Sequence, residues 1–185
     1  PPRGELIYAN SFREPPHDWR VFGFARLEND PEKGLFVAPE STVNLWSERE
    51  FFGDYIVEFE YWGQAPDKPG CGTFLQLCGR MLVDRGDPND FMASATSRMP
   101  DYNFGLACYH FSFNRRAQLR GRTNFRKTGN AFYLLSLTES ATATEPRWHT
   151  ITASKRGGHF VFQIDGEFVL EYFDEGNQGP VLDGG

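Results

Sequence analysis

Large β-forming side chains alternate with polar ones between turn residues along almost the whole chain. A period of two is the pattern of strands that bury one face. The clearest turns, Gly157-Gly158 and Asp165-Gly166, place residues that tolerate positive φ where two-residue hairpin turns need them. Three strands joined by these turns form an antiparallel meander. Since no segment shows a persuasive helical period with caps, the pattern predicts an all-β fold.

The alternation predicts about ten strands. They are Trp19 to Arg26, Leu35 to Ala38, Thr42 to Trp46, Asp54 to Trp62, Gly72 to Met81, Phe104 to Asn114, Ala131 to Thr138, Arg147 to Lys155, Gly158 to Ile164 and Glu167 to Phe173. So many strands must cover each other's apolar faces, which favours a two-sheet antiparallel β-sandwich of the jelly-roll type. We therefore expect one domain over residues 1–185. A curved sheet would leave a concave, solvent-facing groove for a ligand.

The charge balance argues against nucleic acid as a partner. The net charge is -6 and the isoelectric point is near 5.2, whereas nucleic-acid binding needs a basic field. No apolar run reaches the roughly 18 residues of a membrane-spanning helix, so we expect no membrane insertion. The chain starts at Pro1 without Met or leader, which leaves a cytoplasmic compartment, or an extracytoplasmic one with the leader removed. The oligomeric state is also open.

The acidic average conceals a basic stretch. From Tyr102 through Thr138 there is no Asp or Glu. The basic residues of this stretch, besides His110, are Arg115, Arg116, Arg120, Arg122, Arg126 and Lys127. An anionic ligand would bind here first.

The strand around His110 separates its side chains into two sets, because successive side chains point to opposite faces. The apolar set, expected in the core, is Ala107, Tyr109, Phe111 and Phe113. The polar set, expected on an open sheet face, is Cys108, His110, Ser112 and Asn114. Arg115, Arg116, Asn124, Arg126 and Lys127 follow in the chain and bring guanidinium, amide and ammonium groups toward the same face.

This constellation fits β-elimination of a uronic-acid polymer. The reaction needs the substrate carboxylate neutralised, a base to take the adjacent C5 proton, and an acid to protonate the departing oxygen. Arg115, Arg116, Arg126 or Asn103 suit the first role. His110 suits the second because its ordinary pKa is about 6.5, and Tyr102 or Tyr133 is a candidate for the third. Ser112, Asn114, Asn124 and Lys127 are further candidates for substrate binding, with Trp62 as a stacking platform.

Three other interpretations stay open. His110 can be an ordinary hydrogen-bonded strand histidine, with the arginines paired to the surplus acids. The same groove can bind carbohydrate without cleaving it. Glu58 and Glu60 lie on one strand face, roughly 7 Å apart, which is within the range of a glycoside hydrolase pair, although alternating glutamates usually mark a solvated face.

No cofactor is required by this chemistry. The loop residues Asp84, Asp87, Asn89 and Asp90 offer oxygen ligands for a structural calcium ion, although turn formation is the more common reason for such residues in a loop. Cys71, Cys78 and Cys108 lack the spacing of a zinc site and are expected to be buried thiols.

Several short motifs carry a family resemblance. They are Asp101-x-Asn103, Tyr109-His110-x-Ser112, Arg115-Arg116, Asn124-x-Arg126-Lys127 with Phe132, the terminal run Gly179-Pro180-Val181-Leu182-x-Gly184-Gly185, and the early strands around Asn44-Leu45-Trp46 and Asp54 to Phe59. In these motifs the chain resembles the YesU-like family, a family of unknown function. The resemblance implies a concanavalin-A-like jelly roll, and some members are associated with the breakdown of acidic plant polysaccharides.

The resemblance also shows two departures from the family pattern. Members continue past the Gly-Gly pair with a further strand, whereas this sequence stops at Gly184-Gly185, so the resemblance implies a domain that lacks the final C-terminal strand at one sheet edge. Where a Gly-Phe-His segment is expected, this chain has Ala131-Phe132-Tyr133, so any role of that second histidine would pass to Tyr133.

Overall fold

The computed structural model describes residues 4–63, 72–82, 105–115, 123–129, 131–139 and 143–185. Their regular elements are all β-strands. The strands are β1 (Trp19–Asp30), β2 (Gly34–Ser47), β3 (Tyr55–Trp62), β4 (Gly72–Met81), β5 (Leu106–Arg115), β6 (Thr123–Lys127), β7 (Tyr133–Thr138), β8 (Trp148–Arg156), β9 (His159–Ile164) and β10 (Glu167–Phe173). Every strand pair is antiparallel. The predicted all-β fold is confirmed.

The strands of the described residues form two four-stranded sheets and a two-stranded hairpin. One sheet has the order β10-β9-β8-β3, the other β4-β5-β6-β7, and β1 pairs with β2. The indole of Trp46 on β2 packs against Gly79 on β4, where an added Cβ would lie 2.7 Å from the ring. Glycine at this position therefore lets the hairpin pack closely on β4.

The core lies between the two four-stranded sheets and is rich in aromatic rings. Phe111 stacks on Phe162 with centroids 3.9 Å apart, and Phe125 lies 5.1 Å from Phe160. All four side chains are fully buried. Burying each such ring contributes roughly 1.5–3 kcal/mol. The apolar set predicted around β5, which includes Phe111 and Phe113, does lie in this core.

Two strand predictions need correction. The segments Leu35 to Ala38 and Thr42 to Trp46 belong to a single strand, β2. The strand β6 was not predicted, because Thr123–Lys127 contains one large apolar residue, Phe125, and so shows no visible alternation. It lies between β5 and β7, and its register with β5 determines which side chains meet His110.

The segment after β10 covers one end of the sandwich. Asp174 donates its backbone N–H to Gly158 and Leu182 donates to the hydroxyl of Tyr109. Phe52 forms a bridge with Gly184. The terminal run singled out in the sequence is thus held against the core.

Candidate functional site

Three polar side chains lie in one row across the β4-β5-β6-β7 sheet. His110 on β5 is opposite Gln76 on β4 and opposite Arg126 on β6. Directly opposed residues of antiparallel strands share a face. This face is turned away from the other four-stranded sheet, and we call it the histidine face.

The imidazole of His110 is held between two aromatic rings. Phe74 lies 4.0 Å from it between centroids, and Phe132 lies 5.8 Å from it on an edge-to-face approach. The guanidinium carbon of Arg126 is 4.5 Å from the Phe132 ring centre, within range of a cation–π interaction. Arg126 Nε also donates to Asn124 Oδ1 at 3.0 Å. One phenylalanine therefore contacts both the histidine and the arginine.

A second row adds amide and hydroxyl groups beside the first. Ser112 on β5 is opposite Phe74 on β4 and Asn124 on β6. Within the described part of the chain, the Nδ2 of Asn124 and the Nε2 of Gln76 are buried donors without a hydrogen-bond partner. Buried donors normally find an acceptor, so this face has unused capacity to bind acceptor-rich groups.

The histidine face is less open than the sequence suggests. His110 is 3% exposed, Ser112 8% and Asn124 is fully buried, while Arg126 is half-buried. The prediction that these side chains line an open surface is therefore wrong. Cys108, in the same set, is also buried, and its thiol lies 3.2 Å from the Thr128 hydroxyl.

Asn114 departs from the expected alternation at the end of β5. Its Nδ2 donates to the Tyr61 hydroxyl on β3, at 2.5 Å, so it links the two sheets and does not join His110. The backbone of Arg115 ends β5, and its side chain lies outside the described atoms. Tyr102, Asn103 and Arg116 lie outside the described residues.

Lys127 lies on the core side of β6. Its ammonium group donates to Asp174 at 2.6 Å and to the Gly179 carbonyl at 2.8 Å, and both partners of the ion pair are buried. Tyr109 donates to the same carboxylate at 2.5 Å. Burial raises the pKa of Asp174, but the hydrogen bonds from Lys127 and Tyr109 outweigh it and hold that pKa below its usual value. The structure thus places Lys127 apart from His110 and Arg126.

Tyr133 also lies away from the histidine face. It is opposite Lys127 in the β6–β7 register, and both line a cavity of about 200 Å³ beneath the segment Asn177–Leu182. Its side chain is 42% exposed. The structure thus places Tyr133, one of the two tyrosines predicted as the acid, away from His110.

Trp62, Glu58 and Glu60 lie on the other sheet. Along β3 they form the exposed set, facing away from the core. Glu58 accepts a weak hydrogen bond from Thr152 on β8, at 3.4 Å. The sandwich core therefore separates the predicted stacking platform and the hydrolase pair from the histidine face.

The described residues contain no group of three His, Cys, Asp or Glu side chains placed to hold a metal ion. The calcium candidates Asp84, Asp87, Asn89 and Asp90 lie outside those residues, as does Cys71. Cys78 and Cys108 are buried, as expected, and burial raises the pKa of the Cys78 thiol.

Sequence reasoning missed Gln76 and Phe74. Both lie on β4, which was predicted with the observed bounds. Their relation to His110 depends on the β4–β5 register, which contains two irregularities. Phe132 entered the sequence argument only through the family resemblance, because its position before β7 has no pattern of its own.

The facing sheets and the aromatic core define an antiparallel jelly roll, and comparisons with solved structures confirm this class. A protein of unknown function with a galectin-like fold from Bacillus subtilis is similar: the two are 24% identical, the match covers 99% of this chain and 87% of that one, and the TM-score is 0.76. A carbohydrate-binding module, CBM66, also from Bacillus subtilis, is 14% identical over 91% of this chain and 83% of its own, with a TM-score of 0.54.

No protein-family model matches the sequence, and no curated protein matches it. The YesU-like resemblance thus stays a prediction drawn from the motifs. In the described part of the chain, no helix has the length and apolar character needed to cross a lipid bilayer.

Proposed function

We propose that this protein is a carbohydrate-active jelly roll that binds an acidic poly- or oligosaccharide at the histidine face and cleaves it by β-elimination. The observation that carries the proposal is the direct opposition of His110 and Arg126, with Phe132 in contact with both. A base beside a fixed cation is the pair that proton removal next to a carboxylate requires.

The polar groups around His110 are suited to a uronide. Arg126 is the carboxylate binder, because a guanidinium group offers a planar set of donors to a carboxylate. The side-chain amide groups of Gln76 and Asn124 donate to no acceptor within the described residues, and they would donate to carboxylate or hydroxyl oxygens. Arg115, Arg116 and Asn103 are proposed as further binders from their places in the sequence.

In the proposed reaction His110 takes the proton from C5 of the uronic-acid residue. The electrons of the broken C–H bond form the C4–C5 double bond, and the C4–O4 bond breaks. The departing oxygen keeps that electron pair and takes a proton from Tyr102. His110 lies between Phe74 and Phe132, and the neutral imidazole is the form that acts as the base.

The second candidate is a carbohydrate-binding module that uses the same face without chemistry. It is favoured by the burial of His110, which is 3% exposed, and by the likeness to a carbohydrate-binding module. In this case Arg126 and the amides hold the ligand, and His110 serves only as packing between the phenylalanine rings.

In the deciding experiment, purified protein is incubated with pectic, alginate, glucuronan or ulvan fragments in the presence of EDTA. The measured quantity is the ultraviolet absorbance of the unsaturated uronide product. β-Elimination predicts a rise that survives the chelator. It also predicts that His110→Gln and Arg126→Gln abolish the rise, while the control His159→Gln, on β9 of the other sheet, preserves it. Arg126 is half-buried, so this variant serves if the His110 variant does not fold.

Other outcomes separate the alternatives. A flat trace with thermal stabilisation by one fragment indicates the binding module. New reducing ends without the double bond indicate the hydrolase on Glu58 and Glu60. If no fragment of the panel gives a rise in absorbance, thermal stabilisation or new reducing ends, the proposal that the ligand is an acidic saccharide is contradicted.

A further inference from the structure

Two tryptophans form an exposed pair on the sheet opposite the histidine face. Trp62 on β3 is directly opposite Trp148 on β8, and their rings meet edge to face, with centroids 5.6 Å apart and planes at 81°. Trp62 is 51% exposed and Trp148 42%. Contiguous apolar surface that stays exposed is a mark of binding sites. We call this pair the tryptophan platform.

Polar side chains continue from the platform along the same face. Glu60 is opposite Thr150, and one row further Glu58 is opposite Thr152, which is in turn opposite Gln163 on β9. Both glutamates are exposed, and the two threonines are half-buried. Apolar stacking surface beside acceptors and hydroxyls is the composition of a small-molecule site with fixed orientation.

The charges around the platform select against an anionic ligand. Arg147 precedes Trp148, but its guanidinium group donates to Glu145 at 3.0 Å and to Asp165 at 2.7 Å. Its charge is therefore largely balanced, and among the described residues beside the platform the exposed carboxylate of Glu60 adds a negative charge. Carboxylates accept hydrogen bonds from sugar hydroxyls and repel a uronate.

We propose that the tryptophan platform, with Glu60 and Thr150, is a second saccharide site and that its ligand is a neutral sugar chain. One indole stacks on the apolar C–H face of a sugar ring, and the perpendicular indole contacts the ring edge. Hydroxyl groups of the next sugar donate to Glu60. The site is independent of the proposed function, because facing sheets are about 10 Å apart and the two sites lie on opposite outer faces.

The experiment measures binding of neutral hexasaccharides by isothermal titration calorimetry, with cellohexaose, xylohexaose, mannohexaose and laminarihexaose as probes. We expect at least one to bind the unmodified protein. Trp62→Ala and Trp148→Ala should each weaken that binding at least about tenfold, since buried aromatic contacts dominate such interfaces. Glu60→Gln should weaken it severalfold. Phe36→Ala, at a half-exposed phenylalanine on the β1–β2 hairpin, is the matched control and should leave binding unchanged.

Two results would overturn the proposal. One is no heat of binding from any of the four probes, and the other is binding that both tryptophan variants retain. Thermal melting of each variant checks its folding. The test of this site is separate from the test of the proposed function. Proteins carrying Trp62→Ala or Trp148→Ala should still cleave or bind acidic fragments as well as the unmodified protein does.

Discussion

Arg126 and Lys127 are adjacent on β6, yet their charged groups lie on opposite faces of the sheet. Arg126 stacks on Phe132 beside His110, while Lys127 pairs with Asp174 in the core. Adjacent side chains on a strand alternate in direction, so the two cations serve different purposes. The outer one is the proposed carboxylate binder, and the inner one forms the buried ion pair with Asp174.

Loss of Lys127 should destabilise the protein strongly. Lys127→Met leaves the Asp174 carboxylate buried without its cation, which typically costs about 3–5 kcal/mol. Arg126→Met is the matched control: it should lower the free energy of unfolding by far less, because that side chain is half-buried. Urea denaturation of both variants measures the difference. Equal decreases in the free energy of unfolding for the two variants would contradict a stabilising role of the core ion pair.

The ion pair should make stability depend on pH in the acid range. The pKa of Asp174 is lowered in the folded state, against about 3.9 in an unfolded chain. The stabilisation is therefore fully present above the unfolded value and is lost as pH falls through the folded one. We expect Asp174→Asn to be much less stable than the unmodified protein at pH 7, with the gap narrowing below about pH 4. A constant gap in urea midpoints from pH 7 to pH 3 would contradict this.

A close backbone approach should make Gly158 intolerant of substitution. An added Cβ there would lie 2.4 Å from the Asp174 carbonyl oxygen, so the β8–β9 turn or the segment after β10 must move. We expect Gly158→Ala to cost about 1–3 kcal/mol. Gly157→Asn is the control, since Gly157 has φ +55 and no atom near its Cβ position, a conformation that asparagine tolerates. Thermal unfolding midpoints of the two variants settle the comparison.

Substitution at Phe132 should weaken the proposed site without removing either charged group. Its ring contacts both His110 and Arg126, so Phe132→Ala frees the two side chains to change rotamer. We expect uronide turnover or binding to fall about tenfold or more, with Phe132→Tyr close to the unmodified protein. If Phe132→Ala keeps full function at equal stability, the ring does not position this pair.

Much of the fold was predictable from local pattern. The meander β8–β9–β10 followed from its two glycine-containing turns and clean alternation, and β4 from its alternation alone. β6 was not predictable, because a strand with one large apolar residue is recognised only by its neighbours β5 and β7. The inward face of β5 was predicted correctly, since Tyr109, Phe111 and Phe113 fill the core.

The site was predictable in part. Alternation along β5 predicted that His110 lies on the strand face away from the core, and the basic stretch predicted Arg126 as a ligand-binding residue. That Lys127 and Arg126 lie on different faces of the sheet could not be predicted without knowing that β6 is a strand. The positions of Gln76, Phe74 and Trp148 depend on strand register, which is set by long-range pairing and bulges that no local pattern encodes.

Histidine NMR shows whether an acidic saccharide binds beside His110. The chain has four histidines, and the imidazole carbon–proton signals of His17, His110, His149 and His159 can be assigned by single substitutions to glutamine. We expect an acidic fragment, from pectic, alginate, glucuronan or ulvan polymers, to shift the His110 signals at saturating concentration and to leave those of His149 and His159 in place. Arg126→Gln should remove this shift. A bound fragment that leaves the His110 signals unmoved would show that the ligand site is not at the histidine face.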